Sequence, residues 1–275
     1  MTNPELKCLI TDLDGTLTID KGIVGKTNLE TLEKLGQIGI TRIIATGRSY
    51  YSAQKVLDPD FPIDYLIFSS GVGVIDWKTK KLIDSYNIDE IEISKAVNIL
   101  KTEYADFMIH FPVPDNHNFY YHQTDRNNPD FERRVNLYSQ FAEEYTDQKI
   151  EKSAQLLAVL HNETDEEFDL IKSKIDFLTI IKTTSPLDDS TIWMELFPKQ
   201  VSKSKSSERL CSELNFNKNQ VLAIGNDFND EDLLDWAGTS FVVGNAPEKF
   251  KNKYETCKPN FENGFTSIIK RFFEI

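Results

Sequence analysis

The chain has 275 residues, of which 40% are hydrophobic and 27% are charged, so it can bury one large core or two smaller ones. Its 44 acidic and 31 basic residues give a net charge of −13, which opposes binding to nucleic acid or to an anionic membrane surface. No apolar run approaches the roughly 20 residues that a membrane helix needs. We therefore expect a cytoplasmic protein without a membrane or nucleic-acid partner, and nothing in the sequence indicates a protein partner.

Strand and helix patterns alternate in the N-terminal part of the chain. An apolar strand at residues 6–11 precedes a helix at 28–36 with leucines at helical spacing, and a second strand follows at 41–45. A short helix at 52–57, a strand at 65–68 and a hairpin made of GVGVID and KLID come next. This β-α-β order predicts a parallel sheet.

The middle of the chain has a different pattern, in which strands are paired across turns. The predicted elements are a helix at 90–101, strands FMIHF and NFYYH, a helix at 130–144, a strand at 154–161, a helix at 166–177, and strands LTIIKTT and TIWMELF. Such pairing predicts an antiparallel sheet with helices on one face. We expect an α+β domain at residues 85–188, inserted into a discontinuous core of residues 1–84 and 189–275.

The alternating pattern resumes in the C-terminal part. It predicts a helix at 205–214, strand VLAIG at 221–225, a helix at 230–236, a strand at 240–244 and a last helix that runs to residue 275. The predicted fold class is therefore α/β. Its core is a Rossmann-like doubly wound parallel sheet, interrupted by the α+β domain.

Two carboxylates follow the first predicted strand, in the stretch TDLDGTL. Side chains two residues apart on an extended chain point the same way, so Asp12 and Asp14 can face one crevice at the carboxyl ends of the strands. Gly15 permits a sharp turn there. The alternative is a solvated acidic loop, which is common beside glycine.

Other predicted strand ends carry complementary groups. The strand at 41–45 ends in ATGRS, which supplies the Thr46 hydroxyl and the Gly47 N–H. A cation is available from Lys199, Lys203 or Lys205, although these lysines also fit a solvated basic loop.

The stretch NDFND follows strand VLAIG and places Asn226, Asp227 and Asp230 at a helix start. Acidic residues at a helix start can serve as caps alone. Together with Asp12 and Asp14, however, they make an oxygen-rich set that suits Mg²⁺.

These stretches resemble a known family. DLDGT at 12–16, TGR at 46–48, ELFPKQVSK at 195–203 and GNDFND at 225–230 resemble, in order and placement, the four motifs of the haloacid dehalogenase (HAD) superfamily phosphatases. The inserted region and GNAPE at 244–248 are similar to the Cof-like, sugar-phosphatase branch, which has a large α+β cap. The cap matches in layout only. Three residues depart from the family's usual pattern: Asn226 replaces aspartate, Ser70 asparagine and Ser204 glycine.

The resemblance implies a HAD-type phosphatase, a phosphoric monoester hydrolase that uses Mg²⁺ and acts on a small phosphorylated metabolite such as a sugar phosphate. Asp12 would be the nucleophile that forms an aspartyl-phosphate, and Asp14 the acid and base. Thr46, Gly47 and Lys203 would hold the phosphoryl group. The implied metal ligands are Asp12, Asp14, Asn226, Asp227 and Asp230.

Substrate specificity would come from Arg48 and from the predicted hairpin, whose residues His110, Tyr120 and His122 we expect on one face. Two alternatives to a phosphomonoesterase are a phosphomutase of similar architecture and a catalytically weak sensor of a phosphorylated metabolite. The stretch DKGIVGKT resembles a phosphate-binding P-loop, but Asp20 takes the place of its first glycine, so an ATPase is disfavoured.

Overall fold

The computed structural model describes residues 5–20, 22–160, 165–185 and 191–275. The chain divides into two compact units, of which unit 1 comprises Met1–Asp84 with Ser202–Ile275 and unit 2 comprises Ser85–Val201. Residue 188, the predicted end of the insertion, and residue 161, the end of a predicted strand, lie outside the described residues. The strand Ile192–Phe197 pairs within the sheet of unit 2, so the chain returns to unit 1 at Ser202 rather than at 189.

The described helices and strands follow one another in three runs. The first run is β1 (Cys8–Thr11), β2 (Thr18–Asp20), β3 (Ile23–Val24), α1 (Lys26–Gln37), β4 (Thr41–Ala45), α2 (Tyr50–Ala53), β5 (Tyr65–Phe68), β6 (Gly73–Asp76) and β7 (Lys81–Ser85). The second run is β8 (Ile88–Asp89), α3 (Glu90–Thr102), β9 (Asp106–His110), β10 (Phe119–His122), α4 (Pro129–Leu137), β11 (Ala142–Glu144), β12 (Lys152–Ser153), β13 (Gln155–Val159), α5 (Asp165–Lys174), β14 (Thr179–Thr184) and β15 (Ile192–Phe197). The third run is α6 (Lys203–Glu213), β16 (Val221–Gly225), α7 (Glu231–Trp236), β17 (Thr239–Val242), α8 (Glu248–Lys251), β18 (Glu255–Thr256) and α9 (Gly264–Phe272). None of the helices in these described stretches is long and apolar enough to cross a membrane.

Unit 1 contains an eight-stranded sheet in the order β18-β17-β16-β1-β4-β5-β6-β7. Neighbouring strands from β18 to β5 are parallel, and β6 pairs with β5 in the antiparallel sense. Thr11 at the end of β1 lies opposite Ile44 of β4 and Ile224 of β16. The loops that follow these three strands therefore meet at one edge, beside the central strand where the strand order reverses.

Helices cover both faces of this sheet, as in the predicted doubly wound fold. Cys8 and Ile10 of β1 belong to an apolar cluster with Leu210 of α6 and Leu233 of α7. Helices α1 and α9 contact each other, and their threonine hydroxyls lie 2.9 Å apart. Leu9 and Ile10, which alternate along β1, are both fully buried, as expected for a parallel strand covered on its two faces.

Unit 2 contains a six-stranded sheet in the order β11-β10-β9-β13-β15-β14, in which only the β10–β11 pair is parallel. Helices α3 and α5 pack on the face that carries Phe107 and Ile109. Phe131 of α4 packs on the opposite face with Met108. The expectation that the helices share one face is therefore wrong.

The helix predicted at 130–144 ends early. Helix α4 stops at Leu137, and residues 142–144 form the edge strand β11 beside β10. Tyr138 leaves the helical conformation with φ −113° and ψ 24°, and the main chain beyond it is paired by strand hydrogen bonds instead.

The register of the β9–β10 hairpin corrects another prediction. His110 lies opposite Phe119, and His122 lies opposite Phe107. Because side chains alternate along a strand, His110 lies on one face of the sheet and Tyr120 and His122 lie on the other. The prediction that these three residues share a face is wrong, since the connection between the strands sets the register and sequence alternation does not reveal it.

Candidate active site

The loop after β1 carries the first two carboxylates of the site. Asp12 is extended, with φ −65° and ψ 162°, and Gly15 turns the chain with φ 71°, a conformation that favours glycine. The Leu13 side chain is fully buried in unit 1. Asp12 is only 5% exposed, whereas the Asp14 side chain is 46% exposed. The two aspartates therefore have different surroundings although one residue separates them.

A buried lysine lies between two carboxylates at this edge of the sheet. Lys203 is the first residue of α6, where the Ser202 side chain accepts a main-chain N–H of the first turn. The Lys203 ammonium donates to Asp12 Oδ1 at 2.7 Å and to Asp230 Oδ1 at 2.6 Å, and it lies 3.3 Å from Asn229 Oδ1. Lys203 and Asp230 have no exposed surface.

Charge in this crevice is unbalanced. Burial lowers the pKa of Lys203, but the carboxylates of Asp12 and Asp230 outweigh burial and hold that pKa above its ordinary value. Burial raises the pKa of Asp12 against the opposing effect of Lys203, and the carboxylates of Asp230 and Asp14 raise it further. A further positive charge would therefore be favourable beside Asp12.

Arg48 holds the second aspartate. Its Nε donates to Asp14 Oδ2 and its Nη2 donates to Asp14 Oδ1, both at 2.7 Å, and its Nη1 reaches the Ser52 hydroxyl at 3.2 Å. Two parallel bonds of this kind fix the plane of a carboxylate as well as its position. The structure thus places Arg48, which the sequence suggested as a specificity residue, on the Asp14 carboxylate.

The loops after β4 and β5 bring small polar groups to the same edge. The Thr46 hydroxyl accepts the Arg48 N–H at 3.1 Å, and a Cβ at Gly47 would lie 3.4 Å from Asn229 Nδ2 and 3.6 Å from Ser70 Oγ. Ser70 has a left-handed φ of 52°, and its buried hydroxyl has no hydrogen-bond partner among the described residues. Sequence reasoning missed Asn229, although it lies inside GNDFND, and it identified Ser70 only as a departure from the family's usual asparagine, because a left-handed conformation at serine has no sequence signal.

The loop after β16 depends on a glycine. A Cβ at Gly225 would lie 2.6 Å from the Asp230 carboxyl group, so glycine allows that carboxylate to approach the main chain. Asp230 Oδ2 accepts the N–H groups of Asn226 at 2.8 Å and Asp227 at 3.1 Å. Asp227 accepts the next main-chain N–H at 2.7 Å, and burial raises its pKa. Asp227 and Asp230 therefore fix the main chain of this turn, and Asp230 also holds the Lys203 ammonium.

Three oxygens converge beside Asp12. With its oxygen turned inward, the Asn226 amide places Oδ1 3.2 Å from Asp12 Oδ2, 3.0 Å from the Asp14 carbonyl oxygen and 2.8 Å from Thr16 Oγ1. Octahedral Mg²⁺ holds neighbouring oxygen ligands about 3.0 Å apart, so the spacing of the amide oxygen from the carboxylate oxygen and from the carbonyl oxygen fits this ion. Within the described residues, no cluster of three or more His, Cys, Asp or Glu side chains is placed to bind a metal ion. Of the three oxygens beside Asp12, only the carboxylate oxygen belongs to such a side chain, since the other two come from the main chain and an amide.

The structure brings most of the predicted site residues together in unit 1. Around the ends of β1, β4 and β16 lie Asp12, Asp14, Thr46, Gly47, Arg48, Lys203, Asn226, Asp227 and Asp230. Lys199 instead donates to the Leu178 carbonyl in unit 2, and Lys205 is exposed on α6. His110, Tyr120 and His122 belong to unit 2.

One face of the unit 2 sheet carries buried polar groups. His110 Nδ1 lies 2.9 Å from the Asn116 carbonyl oxygen, so Nδ1 carries the proton and Nε2, which is buried without a partner in the described residues, is an acceptor. Burial lowers the pKa of His110 to about 3, which keeps the ring neutral. Gln155 lies opposite His110 on β13 and donates to Glu195 Oε1 at 3.1 Å.

Known proteins resemble this chain in sequence and in fold. A family model described as haloacid dehalogenase-like hydrolase matches residues 9–269. An HMP-PP phosphatase from Yersinia pseudotuberculosis serotype O:1b is 25% identical over 88% of this chain and 85% of its own length. A phosphoglycolate phosphatase from Methanobrevibacter smithii is 24% identical over 97% of this chain and 98% of its own length. The solved structure of the subclass IIB sugar phosphatase BT4131 has a TM-score of 0.78 at 19% identity, over 97% of this chain and 98% of that one, which shows a common fold.

Proposed function

Since the chain belongs to the haloacid dehalogenase-like hydrolase family, we propose that it is a Mg²⁺-dependent phosphomonoesterase acting on a small sugar phosphate. It is a phosphatase of this family, as its named relatives are. The observation that supports Mg²⁺-dependent hydrolysis is the environment of the two Asp12 carboxylate oxygens. One of its carboxylate oxygens binds Lys203, and the other faces the Asn226 amide near the Asp14 carbonyl. The fold shared with a sugar phosphatase supports the substrate class.

In the proposed reaction Asp12 is the nucleophile and Asp14 the acid and base. A carboxylate oxygen of Asp12 attacks phosphorus, the bond from phosphorus to the ester oxygen breaks, and Asp14 protonates the departing alkoxide. Water then attacks the phosphorus of the aspartyl-phosphate while Asp14 accepts a proton. The bond to Asp12 breaks, inorganic phosphate leaves, and both aspartates return to their starting states. Arg48 binds both oxygens of the Asp14 carboxylate in this structure, so Asp14 takes up a proton from solvent, and one of these two bonds opens, before it acts as the acid; the proton taken from water in the second step restores that state.

Charge stabilisation is the other requirement of phosphoryl transfer. The Thr46 hydroxyl, the Gly47 N–H and the Lys203 ammonium would bind the phosphoryl oxygens. Asp12 Oδ2, the Asp14 carbonyl and the Asn226 amide oxygen would hold Mg²⁺, whose positive charge would offset the repulsion between the Asp12 carboxylate and the phosphate. Asp230 keeps Lys203 in place, and Asp227 keeps the turn that carries Asn226.

A panel of phosphorylated metabolites tests the reaction and its substrate. We expect release of inorganic phosphate from one or a few sugar phosphates in the presence of Mg²⁺. A phosphomutase would instead convert a sugar phosphate to its positional isomer without releasing phosphate, and that outcome would contradict hydrolysis as the reaction.

Metal removal has a defined expected result. Treatment with EDTA should lower the rate of phosphate release by at least about 100-fold, because the three oxygens beside Asp12 then lack their cation, and added Mg²⁺ should restore the rate. The measurement is hydrolysis of an aryl phosphate before and after the addition. Full activity in EDTA would show that these oxygens do not serve a catalytic metal.

For specificity, we propose that the unit 2 face bearing His110, Gln155 and Glu195 selects among sugar phosphates. His110→Asn and Glu195→Gln should each change the relative kcat/KM of different sugar phosphates by about tenfold. The first variant alters the Nε2 acceptor and the second removes a carboxylate charge, and we propose that both groups bind substrate hydroxyls. Hydrolysis of a small aryl phosphate, which has no such hydroxyls, should change little. Tyr120→Phe on the opposite face is the matched control. An equal loss on every substrate would remove this face from specificity.

A further inference from the structure

The Asn226 amide can present either its oxygen or its nitrogen to the crevice, and the two orientations have different partners. We propose that in the metal-free protein the amide nitrogen takes the place of the cation beside Asp12, and that Mg²⁺ binding turns the amide over. The second half of this inference depends on the proposed Mg²⁺ site. The first half concerns the metal-free protein alone.

The surroundings of the inward amide atom favour nitrogen when no cation is bound. Nitrogen at this position donates to Asp12 Oδ2 at 3.2 Å, to the Asp14 carbonyl at 3.0 Å and to Thr16 Oγ1 at 2.8 Å, and the outward oxygen then faces donors. Oxygen at this position accepts one hydrogen bond, from Thr16 Oγ1 at an oxygen–oxygen distance of 2.8 Å. The amide nitrogen, a donor, then faces other donors. Nitrogen inward therefore makes three hydrogen bonds where oxygen inward makes one, so the nitrogen-inward orientation is the stable one.

A bound cation reverses this preference. An amide nitrogen has no lone pair for a metal, whereas an amide oxygen is a good ligand for Mg²⁺. Half a turn about the Cβ–Cγ bond exchanges the two atoms without moving the main chain. A Cβ at Gly15 would lie 2.9 Å from the outward amide atom, so the side chain is closely packed there and glycine leaves it room to turn in place.

Aspartate at this position would behave differently. The two aspartates of the β1 loop already have cationic partners, since Asp12 is bonded to Lys203 and Asp14 to Arg48. A carboxylate at 226 would add negative charge against Asp12 and could donate no hydrogen bond. Asparagine therefore stabilises the metal-free crevice and weakens Mg²⁺ binding, because its hydrogen bonds must break before the oxygen can turn inward.

Asn226→Asp tests both consequences without using catalysis as the readout. Asn252→Asp adds the same charge at an exposed position at the end of α8 and is the control. In EDTA, Asn226→Asp should unfold about 4–8 °C below the control, since it places a carboxylate without a cationic partner in a half-buried site beside Asp12. By calorimetry, Asn226→Asp should bind Mg²⁺ at least about tenfold more tightly than wild type.

The wild-type amide can be observed directly by NMR with ¹⁵N-labelled asparagine, its resonance being identified by its loss in Asn226→Ala. We expect that the Asn226 NH₂ signals shift on saturation with Mg²⁺, because the nitrogen leaves its three acceptors. Unmoved signals at saturation, or equal stability of Asn226→Asp and the control in EDTA, would overturn the inference. If wild type binds no Mg²⁺ while Asn226→Asp loses stability in EDTA, the Mg²⁺-dependent function is overturned and the cation-like role of the amide is upheld.

Discussion

The Asp12→Asn variant is expected to lose at least about 10⁴-fold in kcat/KM for every phosphate ester, because an amide cannot attack phosphorus to form the covalent intermediate. Its fold should be retained. Asparagine has nearly the same shape as aspartate, and its Oδ1 can still accept the hydrogen bond that Lys203 donates at 2.7 Å. The measurements are steady-state hydrolysis of an aryl phosphate and thermal unfolding of the same preparation.

Asp58→Asn is the matched control for this variant, because it makes the same chemical change at an exposed position of unit 1. It should keep wild-type kinetics and stability. Hydrolysis near the wild-type rate by Asp12→Asn would contradict covalent catalysis at this residue. Loss of the folded structure would instead show that Asp12 is chiefly a partner of the buried lysine.

The Lys203→Met variant should lose both activity and stability. Removing the ammonium leaves Asp12 and Asp230 as buried carboxylates without a cation, a change that typically costs about 3–5 kcal/mol of the free energy of unfolding. It also removes a positive charge that would stabilise the transferring phosphoryl group, so kcat/KM should fall at least about 10³-fold. Chemical denaturation and aryl phosphate hydrolysis measure the two effects.

The pH dependence of this variant has a definite sign. Without Lys203, burial keeps the pKa of Asp12 above its unfolded-state value, and the Lys203 charge no longer opposes this shift. The folded protein then binds more protons than the unfolded chain, so the stability deficit is largest at neutral pH and shrinks as the pH falls. Lys205→Met, at an exposed position on the same helix, should show neither effect. A Lys203→Met protein as stable as this control at neutral pH would contradict the buried ion-pair account.

Much of the unit 1 fold could be predicted because its strands are short apolar runs between polar loops. The strands predicted at 41–45, 65–68 and 221–225 are confirmed to the residue. The site followed from a single topological rule, since the ends of parallel strands share an edge, and GNDFND and TDLDGTL each follow such a strand. The hairpin of β2 and β3 was missed because strands of three and two residues are too short to show alternation.

Other features depend on contacts that the sequence does not encode locally. The faces on which His110 and Tyr120 lie depend on hairpin register, which side-chain alternation within each strand leaves open. The choice of Lys203 over its neighbouring lysines depends on burial at the start of α6. Likewise, the partners of the Asn226 amide come from a loop more than two hundred residues away along the chain, and only the fold brings them together.

Trapping of a phosphorylated enzyme tests the central claim most directly. In the Asp14→Asn variant the base that activates water is lost, whereas the leaving group of p-nitrophenyl phosphate needs no acid, so the covalent intermediate should accumulate. We predict a burst of one equivalent of p-nitrophenolate, with a hydroxylamine-sensitive phosphate located on Asp12 by peptide mass spectrometry. Turnover without any protein-bound phosphate, or phosphate found on another residue, would contradict the account.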